Sequence, residues 1–302
     1  MKTAGLGEVA SVTQRLAVLL GAGVAPASAW LHVAEGSSSS IPLRVVRESS
    51  DPAQIARCLL AAVEGVGALE AGGWRGLAAA WSVATDAGAP LAGSLRSFAA
   101  SLRMLTQTQR DIQVALTAPV ATARMMTFLP LVGILFGMGL GFNTAQTLFA
   151  TPIGWGCLLV GAVLIGFGRR WNRRLIAAAQ PNEAAPGIEC ELMAIAASGG
   201  ASMERAREAV NQAIREFGLA ARMERIDGVL ELSHRAGVPA AELLRSEAEE
   251  IRRQAQAQAQ SKAAALSVRL MLPLGVCILP AFMVLGVLPL IVTVISSTVG
   301  TF

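Results

Sequence analysis

Two histidines, four cysteines and a set of closely spaced glutamates are the side chains of this chain that could do chemistry. Their spacing argues against it. His32 and His234 stand alone, with no HExxH pattern and no second ligand at helical spacing. Each falls on an expected helix and reads as a surface or packing residue rather than a general base. Cys58, Cys157, Cys190 and Cys277 form no CxxC pair. They read as small apolar residues in a reducing compartment, without disulfides. Glu247, Glu249 and Glu250 alternate with arginines on one helix, the pattern of a solvated charged face. No GxxxxGK[ST] loop occurs, so any ATP would be handled by another chain. No catalytic residue, cofactor or metal is expected, and the chain is not read as an enzyme.

The charged residues are informative through where they are missing. The chain is 53% hydrophobic and only 15% charged, against about 25% charged in ordinary soluble domains. Met125–Gly168 and Leu270–Phe302 contain no charged residue at all. A globular core does not sort charge along the sequence in this way; a bilayer does. A membrane helix needs about 20 mainly apolar residues. Three spans are expected: 125–142, 152–168 and 270–295. The polar connector 143–151 and the tail 296–302 would lie outside, with helical domains at 1–124 and 169–269 inside. Leu16–Val24 is a short apolar patch bounded by Arg15 and Gln14, and it is not expected to be a signal peptide.

The densest basic cluster sets the orientation. GRRWNRRL places Arg169, Arg170, Arg173 and Arg174 directly after the second expected span. Positive residues flanking a span are retained in the cytoplasm, and Arg124 and Arg269 agree. Trp155 and Trp171 fall where interfacial anchors would sit. The layout puts the N-terminus in the cytoplasm and the C-terminus outside. Each polar block carries a net +2, and the second becomes −2 without the four arginines. The pI near 9.3 therefore reflects topology, and nucleic acid is not an expected partner. Anionic lipid at 169–174 is, at about 1 kcal/mol per basic residue near the surface.

The two polar blocks repeat one plan. QRLAVLLGAGVAPASAWLHV at 14–33 aligns with ELMAIAASGGASMERAREAV at 191–210, matching Gly23 to Gly200. AGAPLAGSLRSFAASLR at 87–103 aligns with AGVPAAELLRSEAEEIR at 236–252. Gly88 with Pro90 and Gly237 with Pro239 are expected helix-to-helix corners, where glycine takes a left-handed cap and proline starts the next helix. The first block has room for an extra helix pair, placed around Pro52–Val63 and Ala68–Ala84. The GSSSSI stretch after Glu35 reads as a loop. Ala241–Ala265 is rich in good helix formers, with Glu249 and Arg253 as an i,i+4 pair. This helix is expected to run for roughly 25 to 29 residues, or about 40 Å, almost unbroken into the third span.

The spans contain breakers. Pro273 and Pro280 share a face of the outgoing segment and Pro289 falls nearly opposite; neighbouring spans can satisfy the carbonyls such prolines free. Gly133, Gly137 and Gly141 form a small-residue stripe suited to close helix contact, downstream of Pro130. The spans are almost without polar groups, with Thr127, Cys157, Cys277 and Thr293 the most polar. A transporter or channel, the alternative function, would need ionisable groups there.

In this order of parts the chain resembles the type II secretion system F family, the GspF- and PilC-like inner-membrane platforms of type II secretion and type IV pilus machines. In detail it is similar to the tight-adherence (Flp pilus) branch, whose members are called TadB and TadC. Residues 10–176 look like a TadB-type unit, through WSVATDAGAPLAGSLRSFAASLR, ALTAPVATARMMTFLP and GCLLVGAVLIGFGRRWNRRL. Residues 190–298 look like a shortened TadC-type unit ending in LSVRLMLPLGVCILPAFMVLGVLP. The resemblance implies an all-α membrane protein with two cytoplasmic helical bundles and three transmembrane helices. It also implies a non-enzymatic platform in the plasma membrane that couples a cytoplasmic ATPase to pilin or pseudopilin assembly. Other platform chains, as a homo-oligomer, and membrane lipid complete the implied partners.

Overall fold

The computed structural model describes residues 4–37, 39–49, 54–139, 152–179, 185–220, 222–288 and 291. Every regular element among them is helical. The first block supplies α1 (Ala4–Gly21), α2 (Pro26–Glu35), α3 (Ser40–Glu48), α4 (Ile55–Ala62), α5 (Ala68–Ala87) and α6 (Leu91–Gly139). After α7 (Pro152–Ala179) come α8 (Ile188–Ser198), α9 (Met203–Glu216), α10 (Glu224–Ala236) and α11 (Ala240–Arg269). The chain then continues as α12 (Met271–Pro273), a π-helical turn (Leu274–Ile278), α13 (Leu279–Phe282) and a second π turn (Met283–Val287). The expected loop 143–151, the tail 296–302, Gly141 and Pro289 lie outside the described residues.

Residues divide into two compact units, 1–110 with 181–258, and 111–180 with 259–302. In the first, helices from both polar blocks share one hydrophobic core, so the expected pair of separate helical bundles is a single bundle. The reason lies in α8 and α10. Ile188 to Ala196 of α8 are all buried, which a helix achieves only when covered on every side. Yet α10 is polar and contributes only Ile226 as a fully buried residue. The second block thus cannot cover α8 by itself, and α5 of the first block does so. Around α5, whose Trp74, Leu77 and Trp81 are fully buried, pack α1, α4, α8 and α9. Gly199 at the end of α8 lies so close to Ala87 that a Cβ there would strike the Ala87 carbonyl.

The repeat is real in the backbone. Gly23 and Gly200 have φ of 85° and 79°, and Gly88 and Gly237 have 65° and 66°. Hence α8 and α9 correspond to α1 and α2, α10 to α5, and α11 to α6. This corrects the extra pair: Ala68–Ala84 has a counterpart in α10, and the insertion is α3 with α4. It also shortens the serine loop, since Ser39 caps α3 by accepting from the Ile41 amide at 3.3 Å.

The second unit contains the charge-free sequence. Helix α6 runs 49 residues through the expected boundary at 124, with Pro130 inside it. Helix α11 spans 30 residues and ends in a turn at Leu270, whose amide donates to the Leu266 carbonyl at 2.9 Å. Beyond it, a proline explains the first π turn. A helical proline lacks its N–H and clashes with the carbonyl four residues earlier. For Pro280 that carbonyl belongs to Val276, the middle of the first π turn. A π turn widens the helix where the clash would occur. It also keeps a four-residue stripe aligned: Pro273, Cys277, Ala281 and Leu285 are all buried, although on an α-helix each step would drift by about 40°. This segment packs against α7, where Gly161 leaves room for the Leu285 side chain.

Among the described residues, no helix is long and apolar enough to cross a membrane. Parts of the expected spans 125–142 and 270–295 fall outside those residues.

Candidate functional site

Two constellations of charged residues stand out, one exposed and one buried. On α7, Arg169, Arg170, Arg173 and Arg174 are all exposed and line a shallow groove with Gly166 and Ala177. The steps of three and four residues place all six on one helical stripe. Among the described residues none of the four arginines pairs with a carboxylate. On the same helix Phe167 and Trp171 meet edge to face, with ring centroids 5.9 Å apart, and Trp155 is 64% exposed.

The buried constellation joins three helices of the first unit. Arg252 of α11 is 7% exposed and Glu191 of α8 is 4% exposed. The Arg252 Nη2 donates to Glu191 Oε2 at 2.7 Å. Its Nη1 donates to Ser101 Oγ of α6, and its Nε donates to the Ala248 carbonyl at 3.0 Å. Glu191 Oε1 is buried and has no hydrogen-bond partner among the described residues. Burial raises the Glu191 carboxyl above its ordinary value, against the opposing pull of Arg252 and Arg245. Nearby, Arg245 Nη2 donates to Ser198 Oγ at 2.8 Å, again linking α11 to α8.

Sequence reasoning missed this pair, because Arg252 sits in the run read as a solvated face. The repeat pointed the wrong way too: Arg103, its aligned partner in the first block, is exposed. A usable signal was the position of Glu191 inside an otherwise apolar helix. The expected Glu249–Arg253 pair is replaced by Arg253 with Glu250, at 3.0 Å. Glu250 also accepts from Gln254 at 3.0 Å. Those two hydrogen bonds, Gln254 first, hold the Glu250 carboxyl below its ordinary value.

The corners stand where the sequence places them. Gly88 caps α5 in the left-handed conformation, with the Ala89 amide donating to the Ala84 carbonyl at 2.9 Å. Gly237 caps α10, donating to the Ser233 carbonyl at 2.9 Å. Pro90 and Pro239 come one residue before α6 and α11. Their carbonyls accept from Ser94 at 3.3 Å and Glu242 at 3.1 Å. Pro273 is buried and Pro280 half-buried, while Pro130, Gly133 and Gly137 lie within α6. His32 and His234 are exposed, and His32 faces Glu35 at 3.7 Å. All four cysteines are free; the Cys190 thiol is pushed up to about 12 by burial and by Glu189.

Taken together, these features define an all-α protein with a helical bundle and a second, strongly apolar helical unit. Residues 229–288 match the family described as Type II secretion system (T2SS), protein F. The match begins within α10, takes in the Gly237–Pro239 corner and all of α11, and ends after the second π turn. No curated protein and no solved structure matches the chain.

Proposed function

We propose that the chain is an inner-membrane platform protein of a type II secretion or type IV pilus machine, of the tight-adherence (Flp) kind. The observation that carries the membrane part is an exposed apolar stripe on each helix of the second unit. On α6 it comprises Met125, Phe128, Val132, Leu135 and Met138; on α7, Trp155, Leu159, Val163 and Phe167; beyond α11, Leu272, Val276, Leu279 and Met283. On α7 and the π-turn segment the opposite face is buried and apolar as well, with Cys157 and Gly161 on the first and Cys277, Ala281 and Leu285 on the second. Helices apolar on both faces belong in a large core or in lipid, and large exposed apolar patches mark membrane or protein interfaces. The orientation follows from the arginines of α7, with 1–124 and 169–269 on the cytoplasmic side.

The family match over α10, α11 and the π-turn segment supports the platform role. In that role the bundle receives the motion of a cytoplasmic ATPase. Helices α6 and α11, each with residues in both units, carry that motion to the membrane, where pilin is assembled. The test is affinity capture of the full chain, in neutral detergent, from its native cells. A co-purifying chain with a GxxxxGK[ST] loop, and no ATP hydrolysis by the isolated protein, is the expected outcome. ATP turnover by the isolated chain, or ion flux through it in liposomes, would replace the platform with an enzyme or a transporter.

A further inference from the structure

We propose that the arginine stripe of α7 is a phosphate clamp for the headgroups of anionic phospholipid. The proposal rests on the membrane reading above and names the lipid that this face takes.

Four guanidinium groups on one helix stripe, within six residues, repel one another; like charges at i,i+4 destabilise a helix. No described carboxylate relieves the repulsion here. The groove they line has small residues at both ends, Gly166 and Ala177, with the four arginines between them. Arg169 with Arg173, and Arg170 with Arg174, form two i,i+4 pairs in adjacent rows. Guanidinium forks bind phosphate oxygens with two parallel hydrogen bonds, which a lysine ammonium cannot reproduce. The group that suits this face is an anion with phosphate geometry.

The neighbouring residues decide its source. Phe167, Val163 and Leu159 continue from the arginines along the same helix as an exposed apolar stripe. Phe167 and Arg170 are about 4.5 Å apart along the axis, at 1.5 Å per residue. A ligand whose phosphate meets the guanidiniums thus lays its continuation along hydrocarbon-compatible surface. A phospholipid fits both halves, whereas free phosphate uses only one. Trp171, held edge to face by Phe167, sits at the level where aromatic rings favour the interface.

The test uses the full chain in a neutral maltoside detergent. Its thermal midpoint is followed against added phosphatidylglycerol, phosphatidylcholine or inorganic phosphate. Phosphatidylglycerol should raise the midpoint at concentrations at least about tenfold lower than phosphatidylcholine, and phosphate should have no effect. The variant R169Q/R170Q/R173Q/R174Q should lose that preference. The variant R169K/R170K/R173K/R174K, which keeps the charge that orients the chain, should lose most of it. Full preference in the lysine variant would leave only bare charge attraction and overturn the clamp. So would a preference that survives in the glutamine variant, or an equal shift with inorganic phosphate. Wild-type chain that stays in washed membranes but shows no lipid preference sinks the clamp alone. Chain that is soluble without detergent sinks the membrane reading first.

Discussion

Arg252→Ala should destabilise the helical bundle by about 3–5 kcal/mol, the usual effect of leaving one member of a buried ion pair without its partner. The substitution strips the Glu191 carboxylate of its only hydrogen-bond partner among the described residues and removes the donor to Ser101 Oγ, whose own bond to the Ser97 carbonyl remains. Because Ser101, Glu191 and Arg252 belong to α6, α8 and α11, the loss falls on the contact between the two sequence repeats. Urea unfolding of the full chain in detergent, followed by near-ultraviolet circular dichroism, measures it. A shift below about 1 kcal/mol, the range of an exposed pair, would show that the pair is not buried in solution. The double variant E191M/R252M should recover most of the loss, since apolar groups of similar volume often replace a buried pair without cost.

The same pair predicts a pH dependence with a definite sign. Burial raises the folded Glu191 carboxyl above its unfolded value, so the folded state binds the proton more tightly. The stability it contributes is greatest below the unfolded value and declines as pH rises through the folded one. The stability of wild type relative to Glu191→Gln should therefore fall on going from acidic to neutral pH.

Trp81→Ala should cost about 3–5 kcal/mol, the range for deleting a buried tryptophan. Trp81 is 1% exposed and meets Trp30 edge to face, with centroids 5.8 Å apart and planes at 62°. Such a pair adds about 0.5–1.5 kcal/mol to the burial itself. Its helix, α5, is the one against which elements of both repeats pack, so the cavity should loosen both blocks in one transition. Trp81→Phe keeps a ring opposite Trp30 and should lose less than half as much. Two separate unfolding steps in Trp81→Ala would argue that the repeats fold as independent lobes.

Much of the architecture was legible because it is written in residues with few alternatives. Gly88 and Gly237 need left-handed backbone, and both have it. The runs without charge, 125–168 and 270–302, both fall within the second unit. The merging of the two blocks was not legible, since it depends on how little of α8 the polar α10 can cover, a balance between helices distant in sequence. Nor was the first π turn, which follows only when Pro280 is referred to the carbonyl four residues before it. For the sites, the arginine stripe could be read from spacing alone. The Glu191–Arg252 pair could not: a buried arginine and an exposed one have the same sequence signature when both sit among glutamates and alanines.

The most direct measurement of the central claim is alkaline carbonate extraction of membranes from cells making the full chain, followed by detection of the protein in pellet and supernatant. If the apolar stripes of α6, α7 and the proline-rich segment lie in lipid, essentially all of the chain stays in the pellet. Recovery of the intact chain in the supernatant would place those stripes against protein instead, and the platform reading would fall with them.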